Sequence, residues 1–489
     1  MKILKYFLIL SVIFSASCSD YLDINKDPNS SDAINPEYLF NYGVIAFSAN
    51  RNGGDGSIPL GFGSQIWATG WSEGWGTGSE DTYEFSVYTL NNTWSAVYVN
   101  TGKNLNQAIQ IAENSVPKQS NAKAQCMIMQ AYNFYQGTTL FGDMPFTEAL
   151  KLDISEPKFD TQKDVLEGII KMLDDAIDEV DLNSSLKIDD YFYGGDMERW
   201  IKAAKSLKFR TLMLMVDADN TKEAAIKTML IDGGMISSTE DEMIFPFIDK
   251  TGNKHPMRAI REKYYGPSGI EDMFPGKSLV DIMNLHSDPR RPVYFRFGYT
   301  NEEETTLETN YIGCEATVDR IKNEPGATSF FNGDVIWAGD KGDEIFTYSE
   351  QLLLEAEAQI RFNNDLSKGR ELFEDALEAS CTRWGITTDL TEFKKTYPEF
   401  TSTSVALKAI YEEFWVDQMV RPGEAWTNWR RSGTIGNEIP ALSAPENAKE
   451  GGAGIENMFR RYTTPPDVSS ANPNAPEDVQ FYDRLWFDK

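Results

Sequence analysis

Three tryptophans recur at every fourth position, at Trp67, Trp71 and Trp75. This spacing would place three indoles on one face of a helix, but the glycines among them disfavour a stable helix. A glycine-rich loop can instead present aromatic faces to a ligand, because sugar C–H patches stack on indole while the indole N–H and nearby amides bind hydroxyls. We therefore predict a sugar-stacking platform here; the alternative is that these tryptophans are buried in the core. Further candidates of the same type, in a second irregular region, are Tyr264, Tyr265 and Trp337.

Histidine and cysteine chemistry is sparse in this chain. The histidines are His255 and His286, and neither lies in an H-E-x-x-H or nucleophile motif. A Ser-His-Asp triad or a two-histidine zinc site would have to use one or both of them. We interpret both as structural loop residues. The cysteines that follow residue 18 contain no C-x-x-C pair and are odd in number, so a full disulfide framework is not expected.

One segment, residues 23–31, has the oxygen-donor spacing of a calcium loop. An EF-hand needs glycine at its sixth position and glutamate at its twelfth, where this chain has Pro28 and Ile34. We therefore expect no metal site and no cofactor. Paired carboxylates for glycosidic acid–base catalysis cannot be recognised, because 75 acidic residues supply many pairs by chance. No catalytic residue is predicted.

Several stretches show apolar residues spaced near 3.6 positions apart, which indicates amphipathic helices. In 349–360 the stripe is Leu353, Ala356 and Ile360, and after a turn a second stripe includes Leu377. Two such helices with small residues at their contact predict a tetratricopeptide-type hairpin, and further hairpins are expected around 122–139 and from residue 196. Helices are predicted at about 100–115, 121–140, 163–181, 197–217, 349–361, 368–384 and 405–420.

Two regions between the predicted hairpins have no lasting period. Residues 50–99 combine glycines with aromatics, and residues 250–345 mix Gly, Pro, Asn and aromatics. Long irregular loops on a helical scaffold are usually functional or disordered, and their aromatic content argues against disorder. The predicted fold is therefore mainly α, with tetratricopeptide-type helical hairpins packed with an irregular, loop-rich ligand-binding half.

The N-terminus has the features of an export signal. Lys2 and Lys5 precede an apolar run at 7–14, small residues follow at 15–17, and Cys18 comes next. This apolar run is too short to span a bilayer permanently. The cysteine directly after the small residues indicates a bacterial lipoprotein signal, in which Cys18 is acylated and tethers the domain to a membrane. The alternative is ordinary signal cleavage with an incidental cysteine.

The composition excludes nucleic-acid binding as the main function. The sequence has 46 Lys and Arg against 75 Asp and Glu, a net charge of −29, and loss of Lys2 and Lys5 with the signal leaves −31. Nucleic-acid binding requires a basic face. A surface this acidic also repels strongly anionic polymers unless a local basic groove is present.

Five segments, distributed from one end of the chain to the other, resemble the SusD/RagB-type outer-membrane lipoproteins of the Bacteroidota. The opening CSDYLDINKDPN is similar to the family's mature N-terminus, and AWTNWRRSG is similar to its A-W-x-x-x-R-R-T-G segment with Ser432 in place of Thr. The ending RLWFD resembles the family's W-W-D, with Leu485 and Phe487 departing from it. The five segments are residues 18–29, 194–210, 347–358, 425–433 and 484–488.

This resemblance is closest to the branch named as starch-binding and outer-membrane-associated. It implies a signal at 1–17 and a single SusD-like domain at 18–489, with helical hairpins near 100–217 and 345–420 and irregular regions at 50–99 and 250–345. It also implies a non-enzymatic, lipid-anchored protein on the surface of the outer membrane. Such a protein acts as a lid on a SusC-like, TonB-dependent transporter barrel and captures oligosaccharides or polysaccharides.

Two other functions stay open at this point. An oligopeptide-binding, RagB-like lid would favour polar groups that pair with a peptide backbone over stacked indoles. An exported helical glycoside hydrolase would use two carboxylates. No binding motif of the family transfers residue by residue, because its glycan-facing aromatics lie on variable loops. The choice of tryptophans therefore depends on the loop chemistry.

Overall fold

The computed structural model describes residues 34–69, 80–264, 273–298, 307–316, 328–445, 448 and 457–488, and these are mostly helical. A π-helical stretch, Ala96–Gly102, joins the helix Val87–Ser95 to the helix Lys103–Asn114. The α-helices are α1 Pro36–Asn52, α2 Ile58–Gly63, α3 Val87–Ser95, α4 Lys103–Asn114, α5 Ser120–Phe141, α6 Gln162–Glu179, α7 Met197–Met215, α8 Glu223–Asp232, α9 Pro256–Tyr264, α10 Lys277–Leu285, α11 Arg291–Tyr294, α12 Gly333–Ile336, α13 Tyr348–Phe362, α14 Leu366–Arg383, α15 Thr391–Lys394, α16 Thr403–Asp417, α17 Pro422–Arg430 and α18 Pro466–Ala471.

Short antiparallel strand pairs join distant parts of the chain. The strands are β1 Trp67–Thr69, β2 Met243–Phe245, β3 Met273–Pro275, β4 Phe295–Arg296, β5 Phe330–Phe331 and β6 Asp343–Phe346. In the described residues β1 pairs with β3, β2 with β6 and β4 with β5. Each pair therefore fixes where one irregular segment lies against another.

The helices predicted from apolar periodicity are confirmed as α4 to α7, α13, α14 and α16. Side-chain caps define where several of them begin. The Asp196 carboxylate accepts from two backbone N–H groups in the first turn of α7, and the Thr347 hydroxyl accepts from the Glu350 N–H at the start of α13. Such caps satisfy N–H groups that have no partner within the helix.

Helices α13 and α14 form the predicted hairpin. They pack closely because a Cβ at Gly369 would lie only 2.4 Å from Ile360 Cγ1, so a larger residue would push the helices apart. Helix α16 packs on α13, while α4 to α8 pack successively on one another. Their apolar faces form one cluster of buried side chains, the first cluster, which includes Leu353 and Leu377.

A second cluster of buried side chains comes mainly from the irregular regions. It takes residues from α2, β1, β3 to β5 and α10 to α12, and it also takes Trp415, Trp426 and Trp429 from α16 and α17. The predicted irregular regions thus contact one another, with a contribution from the C-terminal part of the chain that was not predicted. Within the described ranges, no helix is both long enough and apolar enough to cross a membrane.

Replacing Leu353 or Leu377 by Ala should lower the free energy of unfolding by about 2–5 kcal/mol, because each side chain is fully buried and would leave a cavity. Urea denaturation followed by circular dichroism measures the loss. Leu152→Ala is the matched control, since Leu152 is fully exposed and should change stability little. Losses below about 1 kcal/mol at both buried positions would show that these faces do not form the core.

Candidate ligand-binding site

The segment 311–316 organises the candidate site. The Ile312 N–H donates to Ser329 Oγ at 2.9 Å, and the Ile312 carbonyl accepts from the Ser329 N–H at 2.8 Å. On the other side, the Cys314 N–H donates to the Pro275 carbonyl at 2.9 Å. These bonds hold the segment between β3 and the residues that lead into β5.

The register of β4 with β5 decides which side chains face outward. Phe295 lies opposite Phe331, and Arg296 lies opposite Phe330. Opposite residues of an antiparallel pair share a face, and successive residues alternate between faces. Phe295 and Phe331 are buried in the second cluster, whereas Arg296 and Phe330 remain at least partly exposed.

Beside this strand pair lies a partly exposed group of aromatic and arginine side chains. The rings of Phe297 and Tyr311 stack with centroids 4.5 Å apart and planes at 24°. The Arg291 guanidinium lies 5.7 Å from the Tyr311 ring, and that of Arg296 lies 6.0 Å from the Phe330 ring. We call Arg291, Phe297 and Tyr311 the aromatic shelf; Arg296 and Phe330 lie on the other face of the strand pair.

The polar groups of the shelf keep hydrogen-bonding capacity. Partial burial raises the pKa of the Tyr311 phenol, although Arg291 opposes the shift, so the hydroxyl stays neutral at physiological pH. Within the described residues, Arg291 donates to two neutral acceptors, the Asn284 side chain at 2.9 Å and the Asp288 carbonyl at 3.1 Å. Arg296 forms no ion pair with any residue of the described ranges.

Residues 314–316 also line an open cleft of about 520 Å³. Lys277 and Asp281 form an ion pair there, and Glu315 is exposed beside them. Gln65 has a left-handed φ of 64° and donates from its amide to the Ser443 carbonyl at 2.8 Å, which holds the segment 441–445 against the cleft. The cleft thus presents carboxylate, amide and ammonium groups.

Together, shelf and cleft can recognise a polyhydroxylated ligand. Aromatic faces bind the C–H patches of a sugar ring, and a few placed polar groups fix its orientation through the hydroxyls. By contrast, the enclosed cavity lined by Arg51, Arg210, Glu350 and Arg421 measures only about 30 Å³. That volume is comparable to the share of one water in the liquid, so a sugar ring does not fit.

Two of the predicted platform residues are core residues, which corrects the sequence-based assignment for them. Trp67 and Trp337 are 1% and 2% exposed, and their rings contact each other edge to face at 5.6 Å. The Trp67 indole N–H donates to the Met419 carbonyl at 3.0 Å, and its ring covers Gly61. With their faces covered, neither indole can stack on a ligand in this conformation.

The other predicted residues lie outside the described part of the chain. This applies to Trp71, Trp75 and Tyr265 and to the side chain of Tyr264, whose backbone ends α9. The calcium-like segment 23–31 also lies outside it. Among the described residues, no cluster of His, Cys, Asp and Glu could hold a metal ion.

The sequence shows that the region 250–345 is rich in aromatic residues, but it does not indicate which of them form the shelf. Phe297 and Tyr311 are separated along the chain, and their rings meet beside the end of β4. No motif or spacing marks them, since two-residue strands leave no periodic pattern. The only usable signal was an irregular region rich in aromatic residues.

Both histidines are structural residues, as predicted. Burial lowers the pKa of His255 to about 3, and its Nδ1 accepts from the Met257 N–H at 3.2 Å. His286 stacks on Tyr397 with centroids 3.8 Å apart. Neither ring belongs to the shelf or the cleft.

Comparison with known proteins identifies relatives of this fold. A family model described as SusD-like, starch-binding and associating with the outer membrane matches residues 62–465. Among solved structures, a chitin-binding protein matches with a TM-score of 0.77 and 21% identity over 93% of this chain and 100% of its own.

Two further solved structures have the same fold. A Bacteroidetes SusD-like protein, AC2a, has a TM-score of 0.78 and 19% identity over 93% of this chain and 100% of its own. A SusD homolog from Bacteroides uniformis ATCC 8492 has a TM-score of 0.73 and 17% identity over 94% and 100%. At these identities the likeness establishes the fold alone. A search of curated proteins finds no match.

Changing Trp67 or Trp337 to Ala should destabilise the protein by about 3–5 kcal/mol, because each indole fills the second cluster. Chemical denaturation measures the loss, with Tyr191→Ala as a control at an exposed aromatic residue. If a variant keeps the parental stability but binds ligand more weakly, that tryptophan belongs to the binding surface and not to the core.

Proposed function

The chain belongs to the SusD-like family, and we propose that it is a cell-surface lipoprotein that captures glycans as the lid of a TonB-dependent outer-membrane transporter. SusD-like proteins are starch- or glycan-binding proteins that associate with the outer membrane. The observation that supports glycan capture by this chain is the stacked pair Phe297 and Tyr311, partly exposed beside a polar cleft.

The position of β1 links the predicted tryptophans to this surface. Thr69 at the end of β1 lies opposite Met273, and Phe274 contacts the Phe330 ring at 5.5 Å. Trp71 follows Thr69 by two residues and Trp75 by six. An extended chain reaches at most about 7 Å and about 21 Å over these lengths. Both tryptophans thus follow within six residues of a strand that begins two positions after Gln65 of the cleft.

The signal and the family description support attachment to the outer membrane. Cys18 comes directly after the small residues of the signal, and Pro36 at the start of α1 follows it by 18 positions. Acyl chains on Cys18 would hold the domain at the membrane, since each buried methylene contributes about 0.8 kcal/mol. A surface location places the shelf where it meets extracellular glycans before the transporter does.

Peptide capture is the second candidate function. It would use strand edges that pair with a peptide backbone. The strands that frame the site, β4 and β5, have two residues each and already pair with each other. The stacked rings therefore favour sugars. Catalysis is a third possibility, and it is tested by incubating the protein with polysaccharides and measuring new reducing ends.

Calorimetry on the soluble domain tests the site. Tyr311→Ala, Phe297→Ala, Trp71→Ala and Trp75→Ala should each weaken binding of the recognised oligosaccharide by about 1–3 kcal/mol, by analogy with aromatic platforms that stack nucleobases. The panel includes maltooligosaccharides and chitooligosaccharides. Parental affinity is expected to be micromolar to millimolar, because transfer to a transporter requires release and sugar hydroxyls must give up bound water.

The matched control is Tyr191→Ala, at an exposed tyrosine in another part of the chain. It should bind as the parent does. Circular dichroism confirms that each variant is folded. If all four site variants bind with the parental affinity, the shelf and the tryptophans do not form the binding site. If the protein binds peptides but no glycan, the second function is favoured.

A further inference from the structure

Arg291 of the aromatic shelf is half-buried and forms no ion pair with the described residues. Its Nε donates to the Asp288 carbonyl and its Nη1 donates to the Asn284 side chain, and both acceptors are neutral. The Asp288 carboxylate is 1% exposed and accepts from Arg290 Nε at 3.0 Å and from Arg290 Nη2 at 2.6 Å. Because Arg290 engages this carboxylate, the charge of Arg291 remains available to a ligand.

The Arg291 guanidinium is also held in a fixed place beside Tyr311. The Asn284 side chain joins the two residues, since its oxygen accepts from Arg291 Nη1 at 2.9 Å and its nitrogen donates to the Tyr311 carbonyl at 2.8 Å. Arg291 Nη2 has no hydrogen-bond partner among the described residues. A guanidinium presents its N–H groups in a planar fork that matches an oxyanion. The shelf therefore offers a positioned cationic donor next to an aromatic ring.

The segment around Arg291 differs in charge from the rest of the chain. Residues 284–298 contain three arginines and one acidic residue, whereas the whole sequence has 46 Lys and Arg against 75 Asp and Glu. Arg296 is exposed and likewise forms no ion pair with the described residues. Every other exposed or half-buried arginine of the described ranges pairs with a carboxylate, except Arg484. Unpaired arginine is thus concentrated beside the shelf.

The acidic groups near the shelf and in the cleft do not pair with the shelf arginine. The Glu308 N–H donates to the Gly298 carbonyl at 2.7 Å, and the Glu308 carboxylate accepts from the backbone N–H of the next residue at 3.0 Å. In the cleft, Asp281 pairs with Lys277, and Glu315 is exposed. The unbalanced positive charge therefore lies at the shelf, and the carboxylates lie in the cleft and in the turn after the shelf.

From these observations we propose that the glycan captured at the shelf is acidic and that Arg291 binds a carboxylate or sulfate group on the sugar; this rests on the proposed glycan-binding function. A neutral ligand that covered the guanidinium would remove its water without pairing its charge, which costs free energy. An oxyanion pairs with it through charge-assisted hydrogen bonds. The net charge of −29 repels anionic polymers, so an acidic ligand requires such a local excess of positive charge.

Calorimetry on the full-length chain in detergent tests this with probes paired by charge. The pairs are oligogalacturonate and its methyl ester, oligomannuronate and its methyl ester, and sulfated galactan oligosaccharides and their desulfated forms; maltooligosaccharides and chitooligosaccharides complete the panel. The acidic member of the recognised pair should bind at least about tenfold more tightly, which is the effect of one hydrogen bond to a charged group. If the tightest ligand is neutral, this inference is wrong and glycan capture stands. If no oligosaccharide binds, both are contradicted.

Variants test whether Arg291 recognises the anion. Arg291→Gln should reduce the ratio of acidic to neutral affinity at least about tenfold, because glutamine is polar but carries no charge. The matched control is Arg484→Gln, at an exposed arginine elsewhere that also lacks an ion pair with the described residues, and it should keep the parental ratio. Circular dichroism checks folding, and if Arg291→Gln does not fold, the ratio of the parent still decides whether the ligand is acidic. A parental ratio in folded Arg291→Gln overturns the role of Arg291.

Discussion

Arg421, between α16 and α17, makes buried ion pairs that join the C-terminal helices to the hairpin helix α13. It donates to Glu350 of α13 at 2.6 Å and to Asp417 of α16 at 3.2 Å. Glu350 is also paired with Arg210 of α7 at 2.7 Å. Removing one partner of such a buried pair typically costs about 3–5 kcal/mol, because the other charge stays uncompensated. The pairs therefore favour one position of α17 against α13 and α16.

The same network reaches the strand that precedes α13. Burial raises the pKa of Glu344 in β6, but Arg383 and Lys341 outweigh this and lower it to about 2. Its ion pairs contribute stability above the ordinary glutamate pKa and lose it as the pH falls toward 2. The Glu344 carboxylate thus stays ionised at physiological pH. The shelf, in contrast, lies beside two-residue strands and outside the long helices.

The helices were predictable because each buries one face, so apolar residues recur near every 3.6 positions. Helix α1 was not predicted from the sequence. Tyr38, Tyr42 and Ile45 are exposed while Phe40 is buried, so apolar residues lie on both faces of the helix and mark no single stripe. Tryptophan spacing could not tell a platform from a core residue. Trp67 is a core residue because distant parts of the chain cover its ring and accept its indole N–H. The shelf depends on strand pairing that no local pattern encodes.

Hydrogen exchange of the soluble domain, with and without a bound oligosaccharide, tests the central claim most directly. A ligand held on the shelf and in the cleft should slow exchange in peptides that cover 291–298 and 307–316, while α6 and α14 exchange as before. These segments include Arg291, Arg296, Phe297, Tyr311 and Glu315. Protection confined to the helical hairpins, in a sample that calorimetry shows to be saturated, would contradict glycan capture at the irregular half.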